Sequence, residues 1–117
     1  MTTKQEVFIS VDVETAGPIP GEYSMLTLGA CCVDDPSRTF SCSIKPISDK
    51  FVPEALEVTG LSLQTLAKDG LPPDVAMLNF AAWVGSQCTQ WELPVFVGLN
   101  APFDWSFVNY YFHRFTG

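Results

Sequence analysis

The sequence has few positive charges, one histidine and no long apolar run. Its 117 residues include six lysines and arginines against 13 acidic residues, which gives a net charge of −7. This balance excludes the broad basic surface of a protein that binds duplex nucleic acid through charge alone. No stretch approaches the roughly 18 apolar residues of a membrane span, and the first residues contain no apolar signal core. We therefore expect a soluble cytoplasmic protein with no membrane partner.

Zinc ligands in the usual arrangement are also missing. The only histidine is His113, and no two of the four cysteines have the C-x-x-C spacing. We expect the cysteines to be reduced thiols in the interior. Apolar residues make up 47% of the chain and charged residues only 16%, which excludes intrinsic disorder. The sequence predicts a single domain over residues 1–117 with a well-filled core.

Apolar periodicity and turn residues predict an α/β fold. Short apolar runs predict four strands, over residues 7–13, 24–33, 39–46 and 93–99. Helices are expected over residues 53–58, 62–68, 73–90 and 100–113. Gly60 stops the first helix, and Ser62 is suited to cap the second. Val75, Leu78 and Ala82 fall on one face of the third. The turn at 34–37 predicts an antiparallel hairpin, and a strand after a long crossover helix lies parallel to the first strand. The expected architecture is a mixed sheet with helices packed against it.

Two acidic residues stand at the end of the first predicted strand. Asp12 and Glu14 are two residues apart, so both side chains project from the same face of the strand, while Val11 and Val13 point into apolar packing. Carboxylates that lie close together repel each other unless a cation or hydrogen bonds compensate. Acidic pairs with this spacing also occur at solvated strand ends, and the pair alone leaves both interpretations open.

A third acidic residue follows the last predicted strand. Asp104 lies in the first turn of the next helix, where a carboxylate also interacts favourably with the helix dipole. If the first and last strands are neighbours, Asp104 can meet Asp12 and Glu14 at the carboxyl ends of the strands, where ligands bind in open α/β sheets. Three such carboxylates form an oxygen-rich site suited to Mg²⁺ or Mn²⁺.

With these residues the sequence resembles the DEDD 3′–5′ exonucleases. Residues 11–17, VDVETAG, resemble the first motif of that family, and residues 100–104, NAPFD, resemble its second motif, N-x-x-F-D. Residues 53–61 are similar to the family segment ahead of the crossover helix, so the resemblance covers nearly the whole chain. It points to the proofreading-subunit and ribonuclease T branches, and it implies a ribonuclease H-like fold.

The resemblance implies two-metal hydrolysis of phosphodiester bonds at the 3′ end of single-stranded DNA or RNA. Asp12 would bridge two Mg²⁺ or Mn²⁺ ions, Glu14 would hold the water-bearing ion and Asp104 would hold the other. These three residues are the expected catalytic and metal-binding residues. A homodimer is implied by the resemblance alone.

The resemblance also implies three substrate-binding residues. The backbone of Thr15 and Ala16, just after the first motif, would contact the terminal nucleotide. Asn100 would lie beside the substrate or fix the loop before Asp104, and these two roles remain open. Phe103 is expected to pack into the core.

The sequence departs from the family at its third motif, H-x-x-x-x-D, which supplies a general base and a fourth carboxylate. His113 follows Asp104 by nine residues on the same predicted helix, and the aspartate position of its motif would fall past Gly117. We therefore interpret His113 as a surface or packing residue. On this interpretation the chain is the N-terminal portion of an exonuclease domain, with a C-terminally incomplete fold.

The rival interpretation is a catalytically incomplete module of the same fold that binds metal or protein. A native gene that continues past Gly117 into an H-x-x-x-x-D segment would favour the enzyme, and a natural stop would favour the module. Trp83, Trp91 and Trp105 are able to stack on nucleic-acid bases, but in a small domain we expect them in the core.

Overall fold

The computed structural model describes residues 5–117, which form four strands and four helices. The strands are β1 (Gln5–Thr15), β2 (Met25–Cys32), β3 (Thr39–Ser43) and β4 (Glu92–Val97). The helices are α1 (Pro53–Thr59), α2 (Leu63–Asp69), α3 (Pro73–Ser86) and α4 (Ala101–Phe115). The order of elements predicted from the sequence is confirmed.

The four strands form one mixed sheet in the order β3-β2-β1-β4. β2 pairs antiparallel with both β1 and β3, and β4 pairs parallel with β1. The last residue pair between β1 and β4 is Ser10 with Val97, so β1 continues for five residues past its pairing with β4. The last five residues of β1 therefore have no strand partner on the β4 side within residues 5–117.

The hydrophobic core lies between one face of this sheet and helices α3 and α4. The alternation along β1 buries Ile9, Val11 and Val13 and turns the intervening side chains to the opposite face. Phe107 and Met77 complete the core from the two helices. Burial of each large apolar side chain of this kind contributes about 1.5–3 kcal/mol to stability. Among residues 5–117, no helix covers the opposite face, which we call the open face; along β1 it carries Ser10, Asp12 and Glu14.

Helix α3 differs from the sequence prediction in the face that it buries and in its end. Its buried residues are Ala76, Met77 and Phe80, while Leu78 is 57% exposed. Residues 75–84 are apolar on nearly every side of the helix, so their spacing does not select a packing face. The helix ends at Ser86 instead of residue 90, and the carbonyl of the next residue, Gln87, accepts a hydrogen bond from Arg38 at 3.1 Å.

The expectation that all three tryptophans lie in the core is wrong for two of them. Trp83 is half-buried and packs against the core, but Trp91 is 61% exposed and Trp105 is 46% exposed. Trp91 lies in the connection between α3 and β4, just past the predicted end of the third helix at residue 90. Trp105 lies on the outer side of α4, edge-on to Phe96 with ring centroids 5.3 Å apart, because β4 is the last strand of the sheet.

The short helices have the caps that their sequences predict. Ser62 precedes α2, and its hydroxyl accepts a hydrogen bond from the Thr65 amide at 3.3 Å. Gly60 ends α1 with φ of 70°, a backbone conformation that favours glycine. No helix within residues 5–117 is long and apolar enough to cross a membrane. The four cysteines are free thiols; Cys32 is buried, whereas the other three are only partly buried.

Candidate functional site

Asp12 and Glu14 project from the open face of the sheet near the end of β1. Asp12 is exposed and Glu14 is half-buried, while Val13 between them is buried on the other face, as the sequence predicted. The two carboxylates border an open groove of about 480 Å³ over β2 and β3, whose other walls are small or hydroxyl-bearing residues such as Thr27 and Ser41. The pairing of β1 with β2 shifts register between Glu14 and Thr15, and this bulge directs the side chains at the strand end.

Asp104 reaches the same strand end from the first turn of α4. Its side chain is 5% exposed, and its Oδ1 accepts a hydrogen bond from the Val13 amide at 3.2 Å. This amide is within reach because β4 pairs with β1 only as far as Ser10. The structure thus brings Asp104 to the backbone between Asp12 and Glu14.

Glycine at position 98 makes this approach possible. A Cβ atom on Gly98 would lie 3.1 Å from the Val11 carbonyl oxygen and 3.4 Å from Oδ2 of Asp104. Any side chain would therefore crowd the β1 backbone and stand in contact with the Asp104 carboxylate. Because Gly98 directly follows β4, its small size lets α4 begin beside the end of β1.

The three carboxylates share one negative electrostatic environment. Burial is the main cause that raises the pKa of Glu14, and the negative charges of Asp12 and Asp104 raise it further. Burial also raises the pKa of Asp104, against the opposing effect of its hydrogen bond from Val13, and Asp12 adds to the increase. Ionisation of Glu14 and Asp104 is therefore less favourable in the folded chain than in water unless a cation compensates.

The expected metal site is assembled only in part. Among residues 5–117, no group of three histidine, cysteine, aspartate or glutamate side chains is arranged to hold a metal ion. The physical reason is the orientation of Asp104, which turns one oxygen to the Val13 amide, whereas Asp12 and Glu14 project from the open face. The donor chemistry nevertheless fits Mg²⁺ or Mn²⁺, since all three residues supply hard carboxylate oxygens to one crowded region.

Thr15 and Ala16 lie directly after Glu14 and are both buried. The Thr15 hydroxyl donates to the Gly17 carbonyl at 2.9 Å. The Ala16 amide donates to the Ser24 carbonyl at 2.9 Å, and the Ala16 carbonyl accepts from Val52 at 2.8 Å. Both backbone groups of Ala16 are thus used inside the fold, so this segment is fixed in shape beside the carboxylates.

Asn100 meets Asp104 through its backbone. Its carbonyl accepts hydrogen bonds from the amides of Phe103 at 3.0 Å and Asp104 at 3.2 Å, which starts α4. Its side chain is exposed and makes no capping hydrogen bond. These contacts use only the backbone of Asn100, so its two expected roles stay predictions. Phe103 packs against the core as expected.

Tyr111 is a residue near the site that the sequence motifs did not identify. Its side chain is fully buried, and its hydroxyl accepts a hydrogen bond from the Met25 amide at 2.8 Å. Met25 pairs with Thr15 next to the bulge. The spacing of seven residues from Asp104, two helical turns on the same face, is the sequence feature that could have identified it.

Solved structures of exonuclease I have this fold. The product-bound structure of exonuclease I superposes with a TM-score of 0.75 at 20% identity, over 95% of this chain and 26% of that chain. Escherichia coli exonuclease I in complex with a dT13 oligonucleotide gives a TM-score of 0.76 at 21% identity, over 94% of this chain and 24% of that chain. The chain therefore has the ribonuclease H-like α/β fold that the resemblance implied.

The chain is also similar in sequence to a known protein. No protein-family model matches the chain. The 3′–5′ DNA exonuclease Cap18 of Escherichia coli is 59% identical to it over all 117 residues. The chain spans 63% of the length of that relative. The chain is therefore similar in sequence to a 3′–5′ DNA exonuclease and similar in fold to exonuclease I.

Proposed function

We propose that this chain is part of a 3′–5′ exonuclease that hydrolyses phosphodiester bonds at the 3′ end of single-stranded DNA. One observation carries the proposal: the carboxylates of Asp12, Glu14 and Asp104 gather at the end of β1 in a chain 59% identical to a 3′–5′ DNA exonuclease. Among residues 5–117, no lysine or arginine forms an ion pair with these carboxylates. Carboxylates crowded in this way are costly to maintain for stability alone.

Asp12, Glu14 and Asp104 are the proposed catalytic and metal-binding residues, as in the DEDD family that the motifs resemble. Bound Mg²⁺ or Mn²⁺ would supply positive charge to the attacking and leaving oxygens of the phosphodiester. The raised pKa values of Glu14 and Asp104 support the proposal, because a cation relieves the repulsion that contributes to them. One solved structure of the Escherichia coli ExoI–ssDNA complex is described as its zinc-ion-bound form.

DNA is favoured over RNA as the substrate. The relative is named for DNA, and exonuclease I has been solved with the single-stranded oligonucleotides dT13 and dA16. In this proposal the fixed segment at Thr15 and Ala16 shapes the site for the terminal nucleotide, and the exposed Asn100 side chain lies beside the strand. A chain of net charge −7 then relies on bound cations to accept the phosphates.

The catalytically incomplete module is the second candidate, and the position of His113 favours it for residues 1–117. His113 is exposed, and nine residues of helix place it about 13 Å along α4 from Asp104. It is therefore not placed to take a proton from a water molecule at the carboxylates. The same carboxylates would bind metal in either candidate, so metal binding is tested first and cleavage second.

Thermal unfolding with and without MnCl₂ tests the metal site. We expect Mn²⁺ to raise the melting temperature of the wild-type chain, because a ligand that binds only the folded state stabilises it. Asp12→Ala and Asp104→Asn should lose this response. Glu57→Gln removes an exposed carboxylate on α1 and should retain it. An equal response in all four proteins would refute the site.

A further inference from the structure

Helix α4 contacts the backbone of two strands through one face. In its first turn, Asp104 accepts a hydrogen bond from the Val13 amide of β1 at 3.2 Å. Two turns later, the hydroxyl of Tyr111 accepts a hydrogen bond from the Met25 amide of β2 at 2.8 Å. Residues seven apart lie on the same side of a helix, so both contacts depend on one orientation of α4.

The Met25 contact lies next to the bulge that follows Glu14. Thr15 pairs with Met25, and Glu14 pairs with Thr27, so the extra residue of the bulge is in β2. Just before Met25, the carbonyl of Ser24 accepts a hydrogen bond from the Ala16 amide at 2.9 Å. The backbone of residues 14–16 is thus connected to the Tyr111 hydroxyl through Ser24 and Met25, at the start of β2.

A third hydrogen bond, to the side chain of Ser24, holds the same stretch in place. Ser24 is fully buried, and its hydroxyl accepts a hydrogen bond from the Ile47 amide at 2.9 Å.

Burial raises the pKa of Tyr111 to about 12, so its hydroxyl stays protonated and uncharged at neutral pH. The neighbouring Tyr110 differs, since its hydroxyl accepts a hydrogen bond from the exposed Arg114 side chain.

We propose that Tyr111 is a positioning residue of the candidate active site. Its hydroxyl holds Met25 and thereby fixes the bulge that sets the direction of the Glu14 carboxylate and the shape of the Thr15–Ala16 backbone. The proposal rests on the proposed function, because it assigns Tyr111 to the same carboxylate site. It predicts that the hydroxyl group contributes to metal affinity although it lies on the core side of the sheet and is not itself a ligand.

The experiment compares Tyr111→Phe with Thr89→Val in the 117-residue chain. Each change removes one side-chain oxygen that accepts a hydrogen bond from a backbone amide, Met25 in the first case and Trp91 in the second. Thr89 lies just before β4, whose first residue, Glu92, pairs with Gln5 at the opposite end of β1 from the carboxylates. The Mn²⁺ dissociation constant and the hydrogen-exchange rates of assigned amides are measured on both variants and on the wild type.

We expect Tyr111→Phe to weaken Mn²⁺ binding by about tenfold, the lower end of the effect of outer-shell changes in metal sites. It should also speed exchange at the amides of Ala16 and Met25, whereas Thr89→Val should change neither quantity. Equal Mn²⁺ affinities in Tyr111→Phe and Thr89→Val, or unchanged exchange at Ala16, would overturn the proposal. If Mn²⁺ binds the wild type no better than it binds Asp12→Ala, the proposed function fails, and exchange at Ala16 still decides whether Tyr111 fixes the backbone.

Discussion

Glu14 experiences two opposing requirements at the scale of a single residue. Its backbone belongs to a central strand, where pairing with β2 fixes it, while its carboxylate is half-buried near Asp12 and Asp104. Burial and these two charges raise its pKa above the ordinary value of 4.5. The ionised form is therefore less favourable in the folded chain than in the unfolded chain, and this reduces stability at neutral pH.

The raised pKa of Glu14 leads to a prediction of how the stability of Glu14→Gln depends on pH. A carboxyl group whose pKa is raised by folding stabilises the folded state below its unfolded pKa, and that contribution is lost as pH rises through the folded pKa. In metal-free buffer, Glu14→Gln should be more stable than the wild type at neutral pH. The advantage should disappear below the ordinary value of 4.5.

Urea unfolding midpoints, measured at neutral pH and below pH 4.5, test this effect. Glu57→Gln is the matched control, because Glu57 is exposed on α1 and away from the other two carboxylates. A Glu14→Gln variant whose stability follows the wild type at both pH values would contradict the raised pKa. Addition of Mn²⁺ at neutral pH should reverse the order, since the wild type alone retains the Glu14 ligand.

At the scale of the element, α4 joins the core to the candidate site. Its buried residues are Asp104, Phe107, Val108 and Tyr111, which repeat at helical spacing. Phe107 is fully buried and its ring centroid lies 5.3 Å from that of Phe103. Packing of this face determines where Asp104 stands, because a helix moves as one rigid unit.

We predict that Phe107→Ala destabilises the chain by about 3–5 kcal/mol, the usual cost of a cavity in place of a buried aromatic ring. His113→Ala, on the exposed side of the same helix, should change stability by no more than about 0.5 kcal/mol. Chemical denaturation of both variants provides the measurement. A large effect of His113→Ala would mean that this residue is not a surface residue.

At the scale of the whole molecule, the prediction concerns activity. A general base contributes about 10²–10⁴-fold to such a reaction, and His113, the only histidine of the chain, is not placed to act as one. We expect the 117-residue chain to be inactive or nearly inactive on 3′-labelled single-stranded DNA with Mn²⁺. The longer Escherichia coli relative is the positive control. Robust cleavage by residues 1–117 that Glu14→Ala abolishes would show that another group supplies the base.

A second whole-molecule prediction concerns self-association. An apolar groove of about 520 Å³ runs between α3 and α4 over the β4 edge of the sheet, with Phe96, Trp105 and Phe112 among its walls. Exposed apolar surface of this kind promotes association. Sedimentation equilibrium should therefore show association that Trp105→Lys reduces. Trp91→Lys is the matched control, because Trp91 is exposed outside the groove. Equal effects of the two substitutions would exclude the groove as the contact.

Local rules determined much of the fold and part of the site. The alternation of β1 placed Asp12 and Glu14 on one face, and the crossover through α3 made β4 parallel to β1. Ser62 identified the start of α2 in the same way. Each of these features depends on residues close together in sequence or on the handedness of a connection, so the sequence alone was sufficient to predict it.

Only the tertiary structure decided the features that depend on distant pairs of residues. The buried face of α3 was not predictable because the helix is apolar on nearly all sides, and the sheet beneath it selects Ala76, Met77 and Phe80. The hydrogen bonds from Val13 to Asp104 and from Met25 to Tyr111 join residues 91 and 86 positions apart. Such contacts depend on where α4 docks against the sheet, and the pairing of β1 with β4 sets that position, whereas local periodicity does not.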